Sequence, residues 1–356
     1  MADDHKAASA SPPIGYPYLK GEVSIEFQYD NVFDADNPDS EISDAYNTTE
    51  VAVGAYFNRH FSLQSTLVFE PVLDPGPGED RFFSDHGLYA EELYAKFDFS
   101  PFSLKLGKFN PAFGKAWDVT PGVYGTDLAE DYELTERVGL AVEVAKDKTV
   151  AGDVTMTASA FFADTSELSD SVFTERGKIS LADGGLSNTE ELDSFALAIE
   201  GKDIPGLAGL SYNFGYVHQS GGVFDIDDQN GFVAGLQLDK TYNGVALTWI
   251  GEVAYFDYAG DFFEDGDFVE TLWYYTLGAQ AKIDKYNIAI AYTGRNSEQL
   301  SGIEHEDYQF QISAGMDLPD GWTVDIGYRL LEEQDEESHT VGVLFAKTIE
   351  FDTSAL

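Results

Sequence analysis

Charged side chains of both signs are concentrated in one stretch of the chain, residues 105–137, which is also rich in glycine and proline. Its basic members are Lys105, Lys108, Lys115 and Arg137, and its acidic members include Asp118, Asp127, Glu130, Asp131 and Glu133. Opposite charges that face each other across a narrow aqueous space create a field that orients dipolar solutes. The glycines and prolines predict a folded segment without regular strands at residues 110–135. An ordinary solvated surface loop with an acidic face is the alternative.

A second acidic segment offers the oxygen ligands that calcium prefers. Asp225, Asp227 and Asp228 are spaced like the first ligands of a calcium loop, but the acid expected at the twelfth position is missing. A surface Ca²⁺ is therefore a weak hypothesis, and solvated loop charge is the interpretation we favour. The six histidines show no HExxH or HxxxH spacing, which argues against zinc. We expect no other cofactor.

The composition excludes several classes of protein. The formal net charge of −44 leaves too few basic groups to neutralise phosphates, so we expect no nucleic acid partner. The absence of cysteine excludes disulfide scaffolds, zinc–thiolate sites and cysteine nucleophiles. The chain has no GxSxG motif, no P-loop and no GxGxxG motif after a strand, so we predict no catalytic residue and no enzymatic activity.

The elements that must position these residues follow from a period of two. In residues 21–30, valine, isoleucine, phenylalanine and tyrosine alternate with polar residues that include three carboxylates. This pattern predicts a strand with one face in apolar surroundings and the other in water. The same alternation predicts sixteen strands, at residues 21–30, 49–57, 61–71, 87–99, 102–109, 136–146, 151–163, 193–202, 208–218, 230–239, 244–257, 268–283, 286–295, 305–317, 321–331 and 339–351.

The connections between these strands alternate between short turns and long acidic segments. Aromatic residues lie near the ends of the apolar stripes, as they do at the two interfaces of a membrane. An even strand number with short turns on one rim and long loops on the other predicts an all-β fold, a transmembrane antiparallel β-barrel of about 16 strands. Short turns would be periplasmic, and long acidic loops extracellular. A soluble or secreted all-β binding protein is the alternative.

This interpretation divides the chain into a flexible N-terminal segment at 1–20, a barrel at 21–351 and a short C-terminal tail at 352–356. The first residues are polar, and we expect that a signal peptide has been removed. A cytosolic protein with an ordinary polar start is the alternative.

The inner face of the barrel would be acidic. The predicted lumen-facing acids include Glu22, Glu26, Glu50, Glu92, Asp98, Glu143, Glu252 and Asp325, and the lumen-facing bases include Arg295 and Arg329. A water-filled tube with an excess of carboxylates concentrates cations and excludes anions. The alternation therefore predicts a preference for cations, with a mixed field near residues 105–137.

The stretch LYAEELYAKFDFSPFSLKLGKFNPAFGKAWD, which begins at Leu88 and precedes a long loop and the sequence TERVGL, resembles porins that carry a G-K/R-x-x-x-P-F-G-type segment after the fifth strand. The phosphate-selective porins and the LbtU-type siderophore porins have this pattern. The resemblance implies a passive-diffusion channel for small hydrophilic solutes or cations in the bacterial outer membrane. It also implies contact with the lipid bilayer and lipopolysaccharide, a homotrimer, and a loop at 110–135 that folds inward as a constriction. The chain departs from the usual porin ending because five residues follow Phe351.

The sequence leaves two alternatives open, for the role of the loop aromatics and for the contents of the lumen. The loop aromatics Phe113, Trp117, Tyr124 and Tyr132 either form a stacking surface for solutes or pack the loop against the wall, and we favour packing. A barrel can also serve as a sleeve or scaffold for a protein partner, in which case its lumen would be occupied and would not conduct.

Overall fold

The computed structural model describes residues 15–263 and 266–354. Within these ranges, sixteen long antiparallel strands form one closed sheet in which each strand pairs with its neighbours in the sequence. The strands are β1 Tyr18–Ala35, β2 Ser43–Asn58, β3 Phe61–Pro71, β4 His86–Phe99, β5 Phe102–Phe109, β6 Arg137–Thr149, β7 Gly152–Ala163, β8 Ser194–Lys202, β9 Leu210–Gln219, β10 Gln229–Tyr242, β11 Val245–Phe256, β12 Val269–Ile283, β13 Tyr286–Gln299, β14 Glu304–Asp317, β15 Trp322–Glu333 and β16 Glu336–Asp352. Two further strands of two residues each, Arg81–Phe82 and Val172–Phe173, lie in loops.

The first and last strands close the barrel. β1 pairs with β2 on one side and with β16 on the other, from Lys20 opposite Asp352 to Ala35 opposite Ser338. This closure leaves no exposed sheet edge, which a protein surrounded by lipid requires. The all-β, sixteen-strand antiparallel barrel predicted from the alternation is therefore confirmed.

The two rims differ in the length of their connections. At the rim where β1 begins and β16 ends, most strands are joined by tight turns, such as the one at Asn243 and Gly244, which have φ values of 50° and 84°. Left-handed backbone at both central residues matches the twist of a two-residue hairpin, and Asn-Gly tolerates it best. At the other rim, long connections span residues 72–85, 110–136, 164–193, 220–228 and 257–268.

The barrel has the reverse of a soluble protein's polarity. Leu277 and Ile326 expose 63% and 61% of their surface on the outer face, whereas Thr276 and Gln311 on the inner face expose 1% and 0%. Exposed apolar side chains lie along the outside of every sector of the wall. A continuous apolar exterior costs free energy in water but matches the hydrocarbon of a bilayer.

Aromatic side chains border this apolar exterior. Tyr255, Trp273 and Tyr275 form a contiguous group on β11 and β12, with ring centroids 4.5 and 6.0 Å apart. At the opposite rim, the ring of Trp322 lies 5.6 Å from the ammonium nitrogen of Lys347, the one basic residue that the alternation places on the apolar side of β16. A long lysine side chain at a strand end can extend its charge toward the interface.

Several strands extend further than the alternation predicts. β1 reaches Ala35 and β2 begins at Ser43, so the connection predicted at 31–48 shrinks to 36–42. The connections predicted at 296–304 and 332–338 shrink to 300–303 and 334–335. The expectation of long acidic loops is thus wrong at these three places. Beyond the membrane both faces of a strand meet water, so its residues no longer need to alternate.

The predicted terminal segments contribute to the barrel in part. Residues 18–20 of the predicted N-terminal segment belong to β1, and residues 1–14 lie outside the described ranges. In the predicted tail, the backbone N–H of Thr353 donates to the carbonyl of Leu19 at 2.9 Å, and residues 355–356 lie outside the described ranges. No helix in the described part of the chain is long and apolar enough to cross a membrane.

Candidate functional site

The long connection between β5 and β6, residues 110–136, is called the inner loop here because it lies against the inner wall. It contains the one-turn helix α1, Ala116–Val119, and a 3₁₀ helix, Asp127–Tyr132. Its side chains and backbone contact β1, β11, β12, β13, β14 and β15. Since β11 to β14 are far from β5 and β6 around the barrel, the inner loop crosses the lumen.

The carboxylate of Glu252, on β11, anchors the first part of the inner loop. It accepts hydrogen bonds from the backbone N–H groups of Lys115 at 3.0 Å and Ala116 at 2.9 Å, at the start of α1. It also accepts from the hydroxyl of Tyr132 at 2.8 Å and from the side-chain amide of Asn213 at 2.6 Å. Glu252 is only 3% exposed, and these donors satisfy a charge that would otherwise be costly to bury.

Two ion pairs anchor the second part. The Asp131 carboxylate accepts from Arg295 Nη1 at 2.8 Å and from the Tyr274 hydroxyl at 2.9 Å. The Asp127 carboxylate accepts from Arg329 Nη1 at 2.6 Å. Both arginines project from the wall opposite the strands that bear the inner loop, so each pair fixes the distance between the loop and that wall.

Further hydrogen bonds hold the middle of the loop. The Tyr124 hydroxyl donates to Asp30 on β1 at 2.5 Å, and the side-chain amide of Gln311 on β14 donates to the carbonyl of Pro121 at 2.9 Å. The inner loop is therefore a fixed partition across the lumen, and it is bonded to the wall on both sides of the β1–β16 seam.

The loop aromatics pack the inner loop against the wall. Phe113, Tyr124 and Tyr132 are 1%, 2% and 4% exposed, and Phe113 and Tyr132 belong to a buried cluster with Phe256. The indole N–H of Trp117 donates to the carbonyl of Phe113 at 2.9 Å. Packing, rather than a stacking surface open to solutes, is thus the role of at least three of the four aromatics.

Two of the four basic residues predicted at the constriction, Lys108 and Lys115, are neutralised by acidic partners. The Lys108 ammonium is buried between Glu136 at 2.7 Å and Asp164 at 2.8 Å. It does not line an aqueous space, so its predicted place among the constriction charges is wrong. The Lys115 ammonium, which is partly exposed, pairs with Glu200 on β8 at 2.9 Å.

The remaining two bases lie on the wall itself. Lys105, on the inner face of β5, holds its ammonium 5.0 Å from the ring centroid of Tyr94. Arg137 begins β6 opposite Phe109, and its Nε has no hydrogen-bond partner among the described residues. The predicted arrangement, in which the loop acids face Lys105, Lys108, Lys115 and Arg137, is therefore replaced by other pairings: Asp127 with Arg329, and Asp131 with Arg295.

The other acids of the inner loop have carboxylates as neighbours. Desolvation within the barrel raises the pKa of Glu130 to about 7 and that of Glu133 to about 8. The negative charges that raise the pKa of Glu133 further belong to Glu91, Glu130, Asp118 and Glu50. No basic group in the described part of the chain pairs with the carboxylates of Asp118, Glu130 or Glu133. Acids of the loop and acids of the β2–β4 wall thus face one another.

The predicted lumen acids alternate with exposed apolar residues along their strands. Phe27, Leu93, Phe99, Val142 and Ile326 are each at least 39% exposed on the outside. The residues next to them point the other way, toward the inside, and include Glu26, Glu92, Asp98, Glu143 and Asp325. Glu22, on the same face of β1 as Glu26, pairs in register with Glu350.

One acid was missed because the wall contains a β-bulge. Thr66 pairs with Glu92 whereas Leu67 pairs with Ala90, which leaves Glu91 as an extra residue in β4. The side-chain amide of Asn110 donates to Glu91 at 2.5 Å, and its backbone N–H donates to Glu92 at 3.2 Å. Strict alternation places adjacent residues on opposite faces of a strand. It therefore could not predict that the carboxylates of Glu91 and Glu92 both accept hydrogen bonds from Asn110 on the inner side of the wall.

The weak calcium hypothesis has no geometric support. Asp225 accepts from the backbone N–H of Gly222, Asp228 from that of Gly221, and Asp227 from that of Asp228. The three carboxylates thus cap their own loop instead of converging. No group of three or more acidic, histidine or cysteine side chains within residues 15–263 and 266–354 is arranged to hold a metal ion.

A closed sixteen-strand antiparallel barrel, with an apolar exterior and a connection folded into its lumen, is the fold of the outer-membrane porins. No family model and no curated protein sequence matches the chain. Comparison with solved structures shows the fold directly.

Three of the similar structures are bacterial outer-membrane porins. OmpF of Salmonella typhi, in complex with daunomycin, has a TM-score of 0.63 and 13% identity, with 93% of this chain and 97% of that chain covered. OprB of Pseudomonas putida has a TM-score of 0.62 and 11% identity, with coverages of 93% and 94%. OpdK of Pseudomonas aeruginosa, solved with vanillate, has a TM-score of 0.56 and 9% identity, with coverages of 94% and 99%.

Proposed function

We propose that the chain forms a water-filled, cation-preferring channel for passive diffusion of small hydrophilic solutes across the bacterial outer membrane. The observation that supports this most directly is the one-sided charge around the inner loop. Asp118, Glu130 and Glu133 face acidic wall residues, while Lys108 is buried in an ion pair and Lys115 is paired with Glu200. A permeating cation therefore meets uncompensated carboxylates, and an anion meets no free basic cluster.

This charge pattern argues against the selectivity of the phosphate-selective porins. A phosphate-selective channel needs a group of lysines or arginines open to the pore. Lys108 is buried and Arg295 and Arg329 are paired with acids, so the phosphate-selective alternative has little support here. The resemblance therefore supports the fold and the inward position of the loop but not selectivity for phosphate.

The environment follows from the outer surface. An apolar exterior bordered by aromatics is suited to a lipid bilayer, and the acidic outer loops are suited to cation-bridged contact with lipopolysaccharide. The porin resemblance extends the proposal to a homotrimer and to a channel without catalytic activity. Purification in detergent, anomalous migration on an unheated gel and native mass measurement test the membrane location and the trimer.

The central test is a reversal-potential measurement in a planar bilayer under a KCl gradient at pH 9, where Glu130 and Glu133 are largely ionised. We expect K⁺ to permeate better than Cl⁻. A carboxylate roughly 7 Å from the ion path contributes about 0.6 kcal/mol in water, or roughly a threefold change in cation occupancy. The double variant Glu130→Gln/Glu133→Gln should therefore lower the K⁺/Cl⁻ permeability ratio several-fold.

Asp227→Asn is the matched control, because it removes a carboxylate from an exposed extracellular loop and leaves the lumen unchanged. Its permeability ratio should equal that of the unaltered protein. A preference for Cl⁻ would overturn the proposed selectivity. A protein that inserts but is electrically silent would favour the sleeve or scaffold alternative.

A further inference from the structure

A cavity of about 590 Å³ lies between the inner loop and the extracellular connections. Its walls come from the end of the inner loop, from the connections 164–193, 220–228 and 257–268, and from the upper inner face of β9–β12. This volume lies within the range of about 300–1,000 Å³ that is usual for small-molecule sites. Glu133 lines the cavity and also neighbours the acids of the constriction, so the two spaces adjoin.

Two kinds of side chain line this vestibule cavity. Phe224, Phe262 and Phe268 contribute aromatic surface from two extracellular connections. Acidic residues, among them Glu133 and Asp261, outnumber the basic lining residues by five to one, the single base being Arg137. Of the acids, Asp131 is ion-paired with Arg295, which it shares with Asp307 and Glu333, but Glu133 has no hydrogen-bond or ionic side-chain partner in the described part of the chain. The cavity therefore combines aromatic walls with a net negative charge.

One of these rings, that of Phe262, already interacts with a cation inside this protein, as does the neighbouring ring of Phe263. The guanidinium carbon of Arg295 lies 5.1 Å from the ring centroid of Phe262 and 5.6 Å from that of Phe263. A cation within about 6 Å of a ring centroid is attracted by the negative face of the ring. The aromatic groups beside the cavity are thus placed where cations are stable, next to carboxylates.

Phe224 supports a role in binding. Its aromatic side chain is 76% exposed on an extracellular connection, and its backbone adopts a φ of 80°. A non-glycine residue in this region of backbone space is uncommon and costs free energy. Exposed aromatic surface at the mouth of a cavity gains contacts when a ligand with an aromatic ring enters.

We propose that the vestibule cavity binds organic ammonium ions that carry an aromatic ring, and that it retains them before they reach the constriction. This inference deepens the proposed cation channel and rests on it for the direction of transport. The ring would lie against Phe224 and Phe262, and the ammonium would be directed toward Glu133 and Asp261.

The test uses 2-phenylethylammonium as the probe, with ethylammonium and 2-phenylethanol as analogues that lack the ring or the charge. Both measurements are made at pH 9, where Glu133 is largely ionised. Binding to the protein in detergent is measured by isothermal titration calorimetry, and block of the current is measured in a planar bilayer. We expect the dissociation constant of 2-phenylethylammonium to be at least tenfold lower than that of either analogue. Phe224→Ser should raise it about three- to tenfold, because the contact between the ring of the probe and the ring of Phe224 is lost.

Phe83→Ser is the matched control. Phe83 is 58% exposed on another extracellular connection, has a φ of 52° and lies outside the cavity lining. Its replacement should leave probe binding unchanged. The inference would be overturned if ethylammonium and 2-phenylethylammonium bound equally well, or if Phe224→Ser and Phe83→Ser lowered the affinity for the probe equally. Either result would count even if the channel prefers K⁺. Probe binding can also depend on Phe224 in a channel that prefers Cl⁻ or in a barrel that does not conduct. Either result would support ligand binding in the vestibule cavity and reject the proposed cation channel.

Discussion

Glu252→Gln is the substitution that we expect to release the inner loop from the wall. The carboxylate of Glu252 accepts four hydrogen bonds of charged character, from Lys115, Ala116, Tyr132 and Asn213. A carboxamide keeps only one acceptor oxygen, and its NH₂ group would point at donors. Hydrogen bonds to a charged group contribute about 1.5–3 kcal/mol each, and neutral ones about 0.5–1.5 kcal/mol.

The expected loss of docking free energy is therefore about 2–3 kcal/mol, since part of the network survives with a neutral acceptor. This corresponds to a roughly 30- to 150-fold larger population of the undocked loop. Native-state proteolysis with trypsin measures this population through cleavage after Lys115, provided that opening and closing are fast relative to cleavage. Single-channel records should show more current noise, because an undocked loop moves in the conduction path.

Glu200→Gln is the control for this experiment, because it removes a carboxylate that pairs with the same lysine. The Lys115–Glu200 pair has side chains that are 40% and 38% exposed, and exposed pairs typically contribute less than about 1 kcal/mol. We therefore expect less than a fivefold change in cleavage. Equal cleavage rates in the two variants, with both barrels intact on an unheated gel, would refute the argument that the buried carboxylate holds the loop.

Two further predictions concern charge. Because the pKa of Glu130 is raised to about 7 and that of Glu133 to about 8, their negative charges form as the pH rises from 6 to 9, and the K⁺/Cl⁻ permeability ratio should rise with them. Reversal potentials at each pH measure this, and a pH profile that stays as steep in the double glutamine variant would contradict it. Lys108→Met leaves the buried carboxylate of Asp164 without its ammonium partner, whereas Glu136 keeps its ion pair with Arg176, so the barrel should be destabilised by about 3 kcal/mol. Thermal unfolding in detergent checks this, and an unchanged midpoint would show that the buried pair contributes little.

Much of the wall could be predicted from the sequence because alternation is a local property. Each strand shows its own period of two, and the sixteen predicted strands all overlap the observed ones. Hairpin turns such as Asn243-Gly244 are also local, since two residues determine their backbone conformation. The alternation did not predict strand residues beyond the membrane, such as Ala35, because both faces of the strand meet water there. It also did not predict the bulge that adds Glu91 to the inner face.

The pairing of the charges could not be predicted in the same way. Arg295 lies 164 residues from Asp131, and Arg329 lies 202 residues from Asp127. Composition and spacing identify these groups as lumen residues but contain no information on which of them meet. Similarly, nothing near Lys108 in the sequence indicates that Asp164 returns to cover it.

The sequence by itself thus determined the barrel and its strand number, whereas it indicated the segment that folds inward only through the porin resemblance. Only the tertiary structure decided which charges remain open to water. The physical reason is that burial of one face depends on neighbours along the strand, whereas neutralisation of a charge depends on a partner within about 4 Å. In this barrel, the partners of Arg295 and Arg329 include acids of a loop that is distant from them in the sequence.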